Sequence, residues 1–212
     1  MSITILPALP TEAATITPIG VLAFANDVFN ARLAKPNGTP AQHEEYLQWR
    51  IRRNERRMAK PGGTWFKAVD AETGEVVGCT GVQAPGPEEG EGEANGEVQE
   101  AEPEIFNGEF MREWHEAMEK VRKECMGERQ DYWYVVSMVV HPDRQGKGIG
   151  KRLLEKDCEL ADAAGQDIYL EASPAGKKLY LNAGFEVIGE KSMLDGAAAV
   201  TAMLRKARPV VA

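Results

Sequence analysis

Six residues, Gln145-Gly146-Lys147-Gly148-Ile149-Gly150, join an apolar run to an amphipathic one, and this junction constrains the chain more than any other stretch. Before it, Tyr132 to Val140 is β-branched and aromatic and is bounded by His141-Pro142-Asp143, which predicts a buried strand. After it, apolar Ile149, Leu153, Leu154, Cys158, Leu160 and Ala161 recur at helical spacing among Lys151, Arg152, Glu155 and Lys156. Three glycines at alternate positions therefore sit where a strand hands over to a helix. Without Cβ atoms they let backbone N–H groups approach a ligand closely. The helix N-terminus adds unsatisfied donors and a partial positive charge, so the junction favours a phosphate or pyrophosphate.

Spacing decides between phosphate ligands. A P-loop needs Gly-x-x-x-x-Gly-Lys-Ser/Thr, but Gly148 follows Gly146-Lys147 and Arg152 follows Gly150-Lys151. A dinucleotide fingerprint, Gly-x-Gly-x-x-Gly, ends on Lys151 or Leu153 and also fails. The pattern Gln/Arg-x-x-Gly-x-Gly/Ala fits, as Gln145, Gly148 and Gly150. It resembles the acetyl-CoA pyrophosphate loop of the GNAT N-acetyltransferase superfamily.

A second stretch carries the same resemblance. Ser173-Pro174-Ala175-Gly176-Lys177-Lys178-Leu179-Tyr180-Leu181-Asn182-Ala183-Gly184-Phe185 supplies Leu-Tyr-x-x-x-Gly-Phe in register with the family's Asn-x-x-Ala-x-x-Leu-Tyr-x-x-x-Gly-Phe. Ser173 replaces the Asn and Gly176 the Ala. The first change shortens a side chain that contacts the cofactor in the family; the second keeps a small residue. The Glu-Ala-Ser-Pro stretch and an extra helix also resemble uncharacterised fungal members.

Periodicity gives the remaining elements. Ile3 to Pro7 reads as a strand. A helix capped by Thr17, with Pro18 in its first turn, runs to about Leu33, and a second spans about Ala41 to Lys60. Thr64–Asp70 and Glu75–Val82 form a hairpin about Glu72-Thr73-Gly74. Asn107 to Gly127 is helical, Asp167–Ala172 a strand and Ser173–Asn182 a short helix, and strands at Phe185–Met193 and Val200–Arg205 pair at the end. The expected fold is α/β (α+β): a mixed, mostly antiparallel twisted sheet flanked by helices. The resemblance adds splayed central strands that hold acetyl-CoA. Residues 1–212 read as one domain with an acidic loop and helix inserted at about 86–127.

Composition narrows the class. The net charge of −8 argues against a nucleic-acid binder and is compatible with a cationic substrate. Much of it comes from Pro85 to Pro103, where Glu88, Glu89, Glu91, Glu93, Glu97, Glu100 and Glu102 stand among Gly, Ala and Asn. This segment reads as a solvated loop, with an acidic fence for a basic substrate as the sharper alternative. The arginines between Arg50 and Arg57 read as a solvated face paired with Glu44, Glu45 and Glu55. No membrane span or signal peptide is evident, so a cytoplasmic protein is expected, with the nucleus open. Cys79, Cys125 and Cys158 have no metal-binding spacing and should stay reduced.

What the resemblance implies for chemistry is attack of an amine on the acetyl-CoA thioester, with no metal. The cofactor would lie on the backbone of Met138, Val139 and Val140 and of Gln145, Gly146, Lys147, Gly148, Ile149, Gly150 and Lys151, with Ser173 and Tyr180 beside it. Lys147, Lys151 and Arg152 are near the expected phosphates, either assisting or simply solvated. Tyr180 matches the family's general acid; a phenol with pKa near 10 keeps its proton at neutral pH. The backbone N–H of Val140 would stabilise the oxyanion, as a strand bulge does in the family. An amine of pKa about 10.4 must lose a proton, at a cost of about 4.6 kcal/mol at pH 7. Glu171 is the first candidate base, against a salt-bridged surface role. Strand alternation puts it with Tyr169 and Ser173, opposite Ile168, Leu170 and Ala172. His141 and a water chain are the other routes. The acceptor, a small-molecule or peptide amine, is not encoded in any motif, and the protein is expected to be a monomer or homodimer. A CoA-binding sensor of the same fold is the alternative.

Overall fold

A computed structural model describes residues 2–86, 100–196 and 198–209. Seven strands form one sheet: β1 (Ile3–Pro7), β2 (Gly63–Asp70), β3 (Val76–Gln83), β4 (Tyr132–Val140), β5 (Asp167–Ala172), β6 (Glu186–Met193) and β7 (Ala198–Arg205). Their spatial order is β1-β2-β3-β4-β5-β7-β6. Every neighbouring pair is antiparallel except β4 and β5. The expected mixed sheet, including β4 and β5 at their expected limits, is what forms.

One face of the sheet carries α1 (Ala13–Ala23), α2 (Val28–Leu33), α3 (Pro40–Met58) and α4 (Gly108–Met126). Ile16, Ile19 and Met58 pack there on Trp65, Cys79 and Val139, while Val121 and Met126 meet Tyr132 and Tyr169. The other face carries α5 (Ile149–Ala163) and α6 (Lys177–Asn182). Leu153, Leu154, Cys158 and Tyr180 pack there against Val77, Val135, Leu170 and Ala172. α5 buries the side predicted from its apolar spacing, because a core-facing stripe is what a 3.6-residue period presents to a sheet.

The N-terminal helices differ from expectation. The Pro10–Glu12 turn of 3₁₀ helix leads directly into α1, which therefore starts before Thr17 and holds Pro18 inside. Asp27 then caps a separate α2 by accepting a 2.8 Å hydrogen bond from the Phe29 N–H. A local cap divides what an uninterrupted apolar stripe had suggested was one helix. α3 begins where Thr39 and Gln42 form a reciprocal capping box. α6 is shorter than expected: Ser173 to Gly176 is a turn, and the helix begins at Lys177.

The acidic segment lies largely outside the described residues. Its glutamates Glu88, Glu89, Glu91, Glu93 and Glu97 fall there, and Glu100 is described beside Arg52 and Arg56 of α3. Among the described residues no helix is long and apolar enough to cross a membrane.

A gap between two central strands as the candidate active site

The site is built on a divergence. β4 and β5 pair only through Tyr132, Trp133 and Tyr134 against Asp167, Ile168 and Tyr169. Beyond Tyr134 the strands separate, and a cavity of about 2030 Å³ runs through the opening from one face of the sheet to the other. The expected splay is therefore present.

A bulge on β4 orients this opening. Ser137 pairs with Gly81 and Val135 with Val82, which leaves Val136 without a counterpart. The extra residue shifts side-chain alternation: Tyr134 and Val136 share the α1–α4 face with Val139, whereas Val135 shares the α5 face with Met138 and Val140. Two expectations are corrected here. The bulge is at Val136, not Val140, which pairs in register with Gly78. The His141 N–H donates to the Val77 carbonyl at 2.9 Å, so alternation turns the backbone groups of Val139 toward β3 as well. Val139 has no backbone group to offer a ligand. Met138 and Val140 turn theirs to the open side, and the Gln145 side chain donates to the Val140 carbonyl at 3.0 Å.

At the α5 end the Gln145–Gly150 loop has the form of an anion cradle. Gly146 and Gly148 adopt φ of 72° and 78°, a left-handed backbone that glycine holds without strain, and both face open space. Gly148 is the N-cap of α5 without a side-chain cap. The first-turn N–H groups of Ile149, Gly150 and Lys151 have no carbonyl a turn earlier to bond. These residues fit a pyrophosphate. The cations divide differently from expectation. Lys147 donates to the Asp143 carbonyl at 2.9 Å and Lys151 pairs with Glu155 at 3.7 Å, both at the loop. Arg152 turns away to the Ile3 carbonyl at 2.7 Å and so joins α5 to β1. Arg144, not singled out from sequence, lines the cavity and pairs with Asp70 and Glu75 at 3.6 Å each.

Tyr180 and Ser173 sit below the loop. Tyr180 is 8% exposed, lies edge-on to Phe185 at 5.8 Å and borders the cavity. Burial, with a smaller effect of the Asp157 carboxyl, pushes its phenol up to about 12. A Cβ on Gly176 would come within 3.1 Å of the Tyr180 ring, so glycine there lets the ring sit close to the turn. Ser173 accepts from the Gly176 N–H at 3.3 Å and shapes that turn. His141 has a comparable duty, accepting the Asp143 N–H on its Nδ1 at 3.3 Å.

Glu171 of β5 borders the opening on the α4 face, the side of Tyr169 and away from Ile168, Leu170 and Ala172 as strand alternation predicted, and so across the sheet from Tyr180 of α6. Its carboxylate lies beside two phenols. Tyr134 and Tyr169 both have raised pKa values, first through burial and then through the Glu171 charge.

The same side of the cavity holds four arginine–aromatic stacks. Arg50 lies over Tyr46 at 5.6 Å, Arg53 over Trp49 at 5.4 Å, Arg57 over Trp65 at 5.8 Å and Arg122 over Tyr134 at 4.7 Å. Arg57 also donates to the Val136 carbonyl at the bulge. The arginine cluster of α3 is therefore split. Arg52 and Arg56 meet Glu100, while Arg50, Arg53 and Arg57 form a stripe along the cavity. Their i, i+3, i+7 spacing was visible in the sequence; which way the stripe faced was set by packing. Among the described residues no cluster of three or more His, Cys, Asp or Glu is arranged to hold a metal.

Comparison with known proteins agrees with this geometry. Residues 114–187 match the family described as the Acetyltransferase (GNAT) domain. A histone acetyltransferase HPA2 and related acetyltransferase from Corynebacterium glutamicum aligns over 100% of both chains, at 26% identity and a TM-score of 0.63. A mosquito arylalkylamine N-acetyltransferase like 5b aligns over 97% of this chain and 100% of its own, at 15% identity and a TM-score of 0.61. A putative GNAT-family acetyltransferase from Desulfovibrio desulfuricans aligns over 97% and 99%, at 13% identity and a TM-score of 0.57. The chain has the GNAT fold from end to end, with a GNAT acetyltransferase domain match spanning α4 to β6.

Proposed function

We propose that this chain is an acetyl-CoA-dependent N-acetyltransferase that transfers an acetyl group to a primary amine. The observation that carries the reading is the opening between β4 and β5. It joins a glycine-rich anion cradle and a buried tyrosine on one face to a glutamate-bordered chamber on the other.

Acetyl-CoA would supply the activated acetyl group, with its pyrophosphate on the backbone of residues 145–151. Met138 and Val140 would pair with the pantetheine arm like a missing strand, since their backbone groups turn to the open edge of β4. Glu171 would take the proton of the ammonium acceptor and leave a neutral amine to attack the thioester carbonyl. As the carbon–sulfur bond breaks, Tyr180 would give its proton to the leaving thiolate, and the second proton lost by the amine nitrogen as the amide forms would pass through solvent to restore the phenol. A phenol held at about 12 is fully protonated at neutral pH and so has the proton to give.

The test is a screen of amines with the purified chain and acetyl-CoA, measuring free CoA. The panel includes polyamines, aminoglycosides, amino acids and peptides with α-amines or lysines. Amine-dependent CoA release is expected. Acetyl-CoA binding without release for any amine would overturn the transferase reading and favour a CoA-binding sensor.

A further inference from the structure

We infer that Arg57 and Thr80 are positioning residues for acetyl-CoA. From opposite faces of the sheet they grip two successive carbonyls at the β4 bulge, and so fix which backbone groups the pantetheine arm meets. The inference rests on the acetyl-CoA part of the reading above and adds what holds the opening in shape.

The bulge stands where the site begins. Tyr134 is the last β4 residue paired with β5, and Met138 and Val140 turn their backbone groups to the open side beyond it. Val136 and Ser137 lie between. The extra residue sets the phase of all that follows. Were β4 to slip by one residue and lose the bulge, Val139 would turn its backbone to the opening, and Met138 and Val140 would turn theirs to β3. A bulge also leaves the extra residue out of the ladder, so the Val136 carbonyl needs a partner from elsewhere.

α3 supplies that partner. Arg57 donates to the Val136 carbonyl, and its guanidinium lies over the Trp65 ring at 5.8 Å. Trp65 is buried and lies across Gly81, where a Cβ would come within 2.6 Å of the ring. Gly81 is the β3 residue that faces Ser137 at the bulge. The missing side chain at Gly81 thus lets Trp65 settle on the strand, and Trp65 in turn supports the guanidinium beside the bulge. On the other face Thr80 donates to the next carbonyl, that of Ser137, at 3.0 Å, and Asp157 of α5 backs its hydroxyl at 2.6 Å. Thr80 and Asp157 are both fully buried. The cradle lies at the N-terminus of the same α5, so this second grip ties the pyrophosphate end of the site to the pantetheine edge.

The experiment separates the arm from the nucleotide. Calorimetry on the full chain gives dissociation constants for CoA and for adenosine 3′-phosphate 5′-diphosphate, which is CoA without its pantetheine arm. Their ratio reads the contribution of the arm, and the parent should bind CoA at least about tenfold more tightly. Arg57→Met keeps an unbranched stem over Trp65 without a donor, and Thr80→Val keeps the shape without the hydroxyl. Each should cut the ratio at least about fivefold while nucleotide affinity stays within about twofold of the parent. Thr80→Ser restores the hydroxyl and should recover the ratio. Arg57 is half-buried, so Arg57→Met decides the matter if Thr80→Val does not fold. A purely structural role would lower the melting temperature and leave the ratio at the parent value; that result would overturn the inference with the acetyl-CoA reading intact. So would a parent ratio near one, or a folded Arg57→Met that loses both affinities alike. A parent that binds neither CoA nor the nucleotide would overturn the acetyl-CoA reading and this inference with it.

Discussion

Asp157 Oδ2 lies 2.6 Å from Thr80 Oγ1, and the same hydroxyl lies 3.0 Å from the Ser137 carbonyl oxygen. A carbonyl only accepts and a hydroxyl has one proton, so Thr80 donates to Ser137 and Asp157 supplies the second hydrogen bond as a neutral acid. Asp157 is fully buried, and burial pushes its carboxyl up to about 8. The chain Asp157–Thr80–Ser137 thus ties α5 through β3 to β4, one residue past the Val136 bulge.

This predicts a pH dependence of stability. The unfolded carboxyl titrates near 3.9, and the folded one at about 8. Between these values only the folded chain keeps the proton, so stability falls as pH rises, by up to about 1.4 kcal/mol per unit, and levels off above the folded pKa. Asp157→Asn has no proton to lose, so its stability relative to the parent should climb through the same window. Urea unfolding of both proteins across that window checks this; parallel pH slopes would show that Asp157 is not a neutral acid.

Tyr180→Phe keeps the ring that packs on Phe185 and the Gly176 turn, so the variant should fold normally. Only the proton donor is removed. We expect kcat to fall by roughly 10²-fold with acetyl-CoA affinity nearly unchanged. Steady-state kinetics alongside calorimetric binding separates the two; an unaltered kcat would remove Tyr180 from the mechanism.

Gly148 separates strain from charge in the cradle. At φ 78° any side chain carries a backbone penalty of about 1–2 kcal/mol. Gly148→Ala carries that penalty and Gly148→Asp no more than that, but aspartate also places a carboxylate at the N-cap of α5, where it competes for the donors a phosphate needs. Acetyl-CoA binding should weaken in the first and vanish in the second. Comparable affinities for the two variants would mean the phosphates are held elsewhere.

The sequence disclosed the parts of this site that local chemistry determines. β4 and β5 kept their expected limits because each is a dense apolar run bounded by His141-Pro142 or by Gly165 and Pro174. The cradle was legible because left-handed backbone at Gly146 and Gly148 calls for the residue found there. The bulge at Val136 has no glycine or proline to announce it; it arises from how β4 pairs with β3. The divide between α1 and α2 depended on one aspartate cap against a continuous apolar stripe. The arginine stripe needed tertiary packing before Arg50, Arg53 and Arg57 could be told from Arg52 and Arg56.

Glu171 is tested by asking whether pH can replace it. An amine of pKa about 10.4 is neutral in only about one molecule in 2500 at pH 7, so a positioned base matters most there. Glu171→Gln preserves size beside Tyr134 and Tyr169, whose phenols feel the Glu171 charge. Its kcat/KM should trail the parent by about 10²-fold at neutral pH and by less than about tenfold near pH 10, where solvent deprotonates the amine. A lost hydrogen bond or a packing defect would instead depress the rate by the same factor at every pH. A pH profile of the ratio between the two proteins distinguishes these cases, and a constant ratio would assign Glu171 to structure and leave the proton to another route.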